Sequence, residues 1–519
     1  MARTSKNIDD RTLPPTRQAG VCLHMTSLPG PYGIGELGAH ALGFIDRMVD
    51  MELGVWQFLP TGPTAFGDSP YQPLSTFAGN EMLVDIGDLI RIGLLEDKDC
   101  GELTVLPVGY VDFGRLIPIK SRLLRIAASR FADHASQDMK TAFDLFLGNN
   151  DAGWLHDYAL FRILKARHAD RPWPQWAPEY VRREDSALGE LKGSAATEIE
   201  SIKIIQFLFR DQWNRLRSHA HRNGVRLLGD LSIYIALDSA DAWANPQLLR
   251  VNEDGQPDKV AGVPADYFSQ VGQLWGNPLY AWEHHETTGY AWWIARLKAA
   301  TELADIVRID HFRGFEAYWA VPADSPTAEI GAWETGPGDA IFDAIHRTLG
   351  NLPIVVEDLG FITAEVEALR DRYNFPGMHV LQFDVADKNF SLDRVGENSV
   401  CYTATHDNDT TIGWFQAGPD GLRSIDDIRQ AQDAVLALTG GESDTVHADL
   451  IGLAFSTRAR LAIAPMQDYL GLGSEARLNT PGQSGNNWRW RVLDTQLTAE
   501  LCDNVAGMVC ESGRGRKYD

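Results

Sequence analysis

Ile306-Val-Arg-Ile-Asp-His-Phe312 is a short run that opens on β-branched residues and carries Arg308, Asp310 and His311. Runs of the same kind recur at 21–28, 55–60, 225–235, 354–359, 379–385, 400–407 and 459–466. Their nearly continuous apolar character suits strands buried on both faces, as in a parallel sheet. Helical patterns fall between several of them, at 38–51, 287–304 and 363–373, the last with Thr363 as a candidate N-cap. Eight strands alternating with helices predict an α/β fold, a (β/α)8 TIM barrel, with a doubly wound sheet as the alternative.

The spacing between runs is uneven. Residues 90–222 are too long for one βα unit and predict a mostly helical insertion. Its clearest helix runs from Glu198 to Asn223, where Ile199, Ile202, Phe209, Trp213 and Leu216 recur at helical steps before an Asn223-Gly224 stop. Residues 236–286, rich in Gly, Pro, Trp and Tyr, predict a long ordered loop over the active face. The catalytic domain is expected over 20–500, with 1–19 disordered or poorly ordered. Residues 501–519 form a C-terminal tail, read as a helix from about 495 with a frayed basic end.

The 519 residues carry a net charge of −24, which argues against a nucleic-acid partner, since phosphate backbones are read by clustered Lys and Arg. Five scattered cysteines without CxxC spacing predict reduced thiols and no zinc site. The polar first 20 residues do not read as a signal peptide, and no run approaches the roughly 18 apolar residues of a membrane span. A cytoplasmic protein without membrane association is expected. The 15 Trp and 14 Tyr offer flat rings that serve as core or as platforms for sugar faces. Gly33-Ile-Gly35-Glu-Leu-Gly38 spells GxGxxG, yet it does not directly follow its strand and lacks the acid that ends a second strand. A turn opening a helix is the better reading.

Acids at strand ends carry the functional signal. Side chains alternate along Ile306–Asp310, so Arg308 and Asp310 share a face and, at the C-terminal rim of a barrel, point into its mouth. The guanidinium is expected to favour an ionised Asp310, as a nucleophile requires. Glu357 ends an apolar run with no basic residue nearby in sequence, so burial is expected to raise its pKa, as a general acid requires. Asp407 follows Tyr402-Thr-Ala-Thr-His406 in the same way. Taken singly, each admits a structural role as an ion pair or helix cap. Jointly, three acids at three strand ends resemble the carboxylate equipment of retaining glycosidases. His311 and His406, beside proposed catalytic acids, read as sugar-hydroxyl donors, and the histidines show no metal-ligand spacing.

With these residues in view, nearly the whole chain, from Gly20 to Arg491, resembles the 4-α-glucanotransferases (amylomaltases or disproportionating enzymes, glycoside hydrolase family 77). The similarity rests on ordered blocks: 24–35, Gly67-Asp-Ser-Pro-Tyr71-Gln72, 238–246, 262–268, Gly272-Gln-Leu-Trp275-Gly-Asn-Pro-Leu-Tyr280, Arg308-Ile-Asp-His-Phe-Arg-Gly314, Glu357-Asp-Leu-Gly360 and Thr405-His-Asp-Asn-Asp-Thr410. The resemblance implies Asp310 as nucleophile, Glu357 as acid/base and Asp407 as transition-state stabiliser. It implies Tyr71 stacking on the reacting sugar, with Arg308, His311 and His406 holding its hydroxyls. Tyr267, Phe268, Gln273 and Trp275 would line donor and acceptor subsites, and Asn486, Asn487 and Trp488 match a late Asn-Trp element near the site. No cofactor and no metal are implied; the partners are α-1,4-glucans such as maltooligosaccharides. Ser232 stands where the family has Pro, and Thr61 and Ala65 are slightly unusual; these touch only substrate preference. The expected activity is 4-α-glucan transfer; a hydrolase on the same scaffold and a non-catalytic glucan-binding protein are the alternatives.

Overall fold

The computed structural model describes residues 13–14, 16–265, 269, 271–387, 389–419, 423–483 and 485–516. Eight parallel strands form the central sheet: β1 (Gln18–Cys22), β2 (Val55–Gln57), β3 (Arg226–Leu231), β4 (Ile306–Ile309), β5 (Ile354–Val356), β6 (Gly377–Val380), β7 (Ser399–Tyr402) and β8 (Leu461–Pro465). Each pairs with its neighbour in sequence from β1 to β5 and from β6 to β8, and β8 returns to β1 with Gln18 opposite Leu461. The ring closes between β5 and β6, where Val356 N–H donates to Pro376 O at 3.0 Å. This is the predicted (β/α)8 barrel. All eight runs hold their strands, with offsets where the chain turns early. After β1 the chain enters a short 3-10 turn at Met25–Ser27, and after β6 it turns helical at Leu381–Asp384.

Period two sorts the strand side chains. Cys22, Val55, Leu228, Ile306, Val355, Met378, Val400, Tyr402, Leu461 and Ile463 fill the barrel interior together with Leu13. Val21, Trp56, Leu227, Val307, Ile354 and Val356 join the large outer core against the helices. Where β1 meets β2 the backbones come so close that a side chain at Gly20 would place Cβ 2.7 Å from Val55 O.

The surrounding helices include α1 (Ala39–Asp50), α2 (Phe113–His134), α3 (Gln137–Asn150), α4 (His156–Arg167), α5 (Ala196–Arg222), α6 (Ala291–Leu303), α7 (Asp339–Leu349), α8 (Ala364–Arg372) and α9 (Ala499–Glu511). The 90–222 segment is mostly helical; Leu116, Leu124, Phe131 and Phe143 pack into the large core, whereas Phe161, Trp173, Trp176 and Leu191 build a second core together with Leu74 and Trp243. Helix α5 bridges the two cores. Ile199 near its start packs into the insertion, whereas Trp213 and Leu216 pack against the barrel, with Trp213 Nε1 donating to Leu303 O at 3.0 Å. Gly33–Gly38 forms the turn that opens α1. Gly38 is its N-cap, and a Cβ there would meet the Asp85 carboxylate at 2.0 Å, while Glu36 is ion-paired with buried Lys120.

Three sequence expectations change. Residues 236–286 are not simply a loop: they contribute strands 259–263 and 273–278 to a four-stranded antiparallel sheet completed by 317–322 and 332–335 from the segment after β4. Glycines in both early strands, and prolines and small residues in the later ones, hide the alternation that marks a strand. The basic tail is also not frayed as far as it is described. Arg514 is fully buried and donates to Phe455 O, Gln18 O and Thr457 O, and Arg516 donates to Asn223 O and Val49 O. Two guanidinium forks thus satisfy backbone carbonyls left over where elements end. Gln18 and Ala19, expected among poorly ordered residues, already belong to β1. Among the described residues no helix is long and apolar enough to cross a membrane, and no group of three or more His, Cys, Asp or Glu could hold a metal ion.

Candidate active site

Alternation carries Ile306, Arg308 and Asp310 up one wall of the barrel interior. The neighbouring strands do the same with Leu228 and Asp230, and with Val355 and Glu357. The outcome is a buried guanidinium amid three carboxylates. Arg308 is 3% exposed. Its Nη1 lies 2.8 and 2.6 Å from the two oxygens of Asp230 and 3.2 Å from Asp310 Oδ1, and its Nη2 lies 2.8 Å from Glu357 Oε2. A lone buried cation is prohibitively costly, and three anions around it offset that cost while fixing their own geometry.

Asp310 and Glu357 sit side by side on the Arg308 guanidinium, one on each terminal nitrogen. Glu357 Oε2 also accepts from the backbone N–H of His311 at 2.9 Å, made available by the left-handed turn of His311 (φ 48°) directly after Asp310. These contacts reverse the expected proton placement. Burial, then the charge of Glu357 and that of Asp230, push Asp310 well above the usual carboxylate range despite Arg308. Burial would raise Glu357 too, but Arg308, the neighbouring Asp310 carboxyl and the His311 N–H together bring it down to about 2. Sequence pairs Arg308 with Asp310, whereas in space its second nitrogen belongs to Glu357. Asp310 and Glu357 thus titrate as a coupled pair, one carboxyl pushed up and the other down.

Asp407 sits on the turn after β7. Its Oδ1 accepts from Asn479 Nδ2 at 2.6 Å and lies 3.4 Å from His406 Nε2, and its backbone carbonyl accepts from Arg477. The His406 ring stacks on Tyr71 (centroids 5.1 Å apart, 14° between planes), and Tyr71 OH donates to Asp230 Oδ2 at 2.7 Å. Tyr71 thereby ties the Asp407 side of the mouth to the Arg308 side. On the opposite rim Trp275 meets the His311 ring edge-on at 4.8 Å, and its Nε1 donates to Gln273 Oε1 at 3.2 Å. Burial depresses His311 to about 4, so it is neutral near pH 7, and its Nε2 has no hydrogen-bond partner among the described residues.

Asp310, Glu357, Asp407, Tyr71, Arg308, His311, His406, Trp275 and Gln273 therefore share one mouth at the C-terminal end of the barrel. Asn486 and Asn487 reach toward their own loop: Asn487 bonds Thr480 and Gln483, and Asn486 accepts from Arg489. The loop delivers Trp488 instead, whose ring lies 6.1 Å from Tyr71 and 6.0 Å from His406. Tyr267 and Phe268 lie outside the described residues. Sequence reading missed Asp230, although it ends β3 with the same pattern that flagged Asp310. It also missed Asn479, whose contact with Asp407 spans 72 residues of chain and left no local signal.

Residues 23–496 match the family model described as 4-alpha-glucanotransferase. The chain is 45% identical over 489 residues to the 4-alpha-glucanotransferase of Thermus thermophilus, covering 93% of this chain and 96% of that protein. It is 45% identical over 497 residues to that of Synechocystis, covering 94% and 96%. Among solved structures, the amylomaltase from Streptococcus agalactiae in complex with acarbose superposes with a TM-score of 0.89 at 33% identity, covering 96% of this chain and all of that one.

Proposed function

The chain belongs to the 4-alpha-glucanotransferase family, and from that premise we propose that Asp310, Glu357 and Asp407 carry out retaining transfer of an α-1,4-glucan segment to the 4-hydroxyl of an acceptor. The observation that carries the assignment is the coupled pair of Asp310 and Glu357 on Arg308. The reaction needs one carboxylate and one carboxylic acid, and a pair with one carboxyl pushed up and the other down supplies that combination.

The proton must sit on Glu357 for the first step. A sugar at the mouth places a C1 that gains positive charge beside Asp310, which favours Asp310 as the anion, and the adjacent carboxyl of Glu357 takes the proton. Asp310 then attacks C1 as Glu357 protonates the departing 4-oxygen, so the C1–O4 bond breaks as the Asp310–C1 bond forms. Glu357, now ionised against Arg308 and the His311 N–H, next takes the proton of an incoming 4-hydroxyl. That oxygen displaces Asp310 from C1, and an α-1,4 bond re-forms. Asp407, held by Asn479, faces the flattened ring as an anion, while neutral His311 offers Nε2 to a sugar hydroxyl. Two inversions give net retention. Asp310 and Glu357 contact neighbouring nitrogens of one guanidinium, at 3.2 and 2.8 Å, an adjacency that suits the close carboxyls of retaining pairs (~5–5.5 Å) rather than the gap of about 6.5–9.5 Å that inverting pairs use for water.

Incubation with pure maltotriose tests the proposal. Glucose and oligomers longer than the substrate are expected, with total reducing ends constant. Reducing ends that climb with time would identify a hydrolase, and an unchanged substrate would leave a binding protein.

A further inference from the structure

Trp333 and Phe361, like Tyr110, are large aromatic side chains left exposed, and these two lie against each other. Phe361 is 67% exposed and Trp333 37% exposed, and their rings lie 6.5 Å apart at 23°. Such paired apolar exposure is unusual on a protein surface and marks contact with something. Both rings are held rigid. Trp319, opposite Trp333 across the small sheet, supports it edge-on at 5.2 Å. The guanidinium of Arg313 lies 3.8 Å from the Trp333 ring centroid and 5.7 Å from that of Phe361. Arg313 is itself buried, and its Nη1 donates to the backbone carbonyl of Phe361.

These contacts tie the platform to both catalytic loops. Arg313 follows Asp310 by three residues, and Phe361 follows Glu357 by four, so the platform is built on the two segments that leave the strands carrying those acids. The chemistry of a ligand is narrowed from two directions. Arg313 under the rings disfavours a cation over the same aromatic faces, since that attraction is already satisfied. The net charge of −24 disfavours a polyanion. A neutral ligand with a flat, partly apolar face remains, which is what a pyranose presents.

Building on the proposed transfer reaction, we propose that Trp333 and Phe361 form a distal subsite that stacks a glucose unit of an α-1,4-glucan extending beyond the sugars at the carboxylates. Such a subsite adds contact for chains long enough to run from the carboxylates to the rings, and so favours long chains over short ones.

Kinetics with maltotriose and with long maltooligosaccharides or amylose test this on Phe361→Ala, Trp333→Ala and the conservative Phe361→Tyr. The expected result is a KM for long chains raised about ten-fold in each alanine variant, maltotriose kinetics within about two-fold of wild type, and rescue by Phe361→Tyr. An unchanged KM for long chains, or an equal loss on both substrates, overturns the subsite. Because Phe361 is exposed, its variants fold even if Trp333→Ala does not. Wild-type protein that fails to convert maltotriose would instead remove the transfer reading on which this rests.

Discussion

Arg308 is the residue on which the site turns, because it holds Asp230, Asp310 and Glu357 at once. Asp310→Asn removes the attacking oxygen and is expected to lower kcat by on the order of 10⁴ or more. Glu357→Gln removes one proton transfer and is expected to lower it by about 10²–10⁴ with natural glucans. Steady-state assays on maltotriose check both, and wild-type rates in either variant would contradict the assignment. The pH profile follows from the coupled pair. Activity requires the one-proton form, so it is lost as pH falls through the lower value, about 2 for Glu357, and as pH rises through the elevated value of Asp310. Asp230 is one of the charges that raise Asp310. Asp230→Asn is therefore expected to move the alkaline limb of kcat/KM to lower pH; a limb that stays or moves upward would refute the electrostatic account.

At the scale of elements, the strands were legible and some of what surrounds them was not. Ile306-Val-Arg-Ile and Ile354-Val-Val read as buried strands because their composition is continuous, and period two then aims Arg308, Asp310 and Glu357 inward. The proton placement was not legible, because Glu357 meets Arg308 across adjacent strands, 49 residues apart in sequence. The small antiparallel sheet escaped notice because Lys259–Val263 and Gln273–Pro278 are broken by glycine and proline, whose backbone is read only through its partners. The turn after β7 shows the same limit: Asn479, from a distant loop, orients Asp407. Asn479→Ala removes a charge-assisted hydrogen bond and is expected to lower kcat by about 10-fold or more with an unchanged melting temperature, measured by parallel kinetics and thermal unfolding. Helix α5 welds the insertion to the barrel, and Trp213→Ala is expected to cost about 3–5 kcal/mol in urea unfolding; a loss below about 1 kcal/mol would mean that this weld is not where the two cores meet.

For the whole molecule, the −24 charge and the aromatic surplus acquire separate meanings. Most acids lie on a solvated surface that a neutral glucan does not sense, so kcat/KM is expected to change less than about two-fold between roughly 0.01 and 1 M salt. A steep salt dependence would point to a charged substrate. The rings divide between core, as in Trp56 and Trp213, and the mouth, as in Tyr71, Trp275 and Trp488. The central claim is that this barrel uses Asp310 to form a covalent glycosyl intermediate that Glu357 then resolves. Peptide mass spectrometry of the Glu357→Gln variant after exposure to α-maltosyl fluoride tests it most directly, because fluoride leaves without an acid but the intermediate lacks its base. A maltosyl adduct accumulating on the peptide that contains Asp310 is predicted; fluoride release without an adduct, or an adduct on another carboxylate, would contradict it.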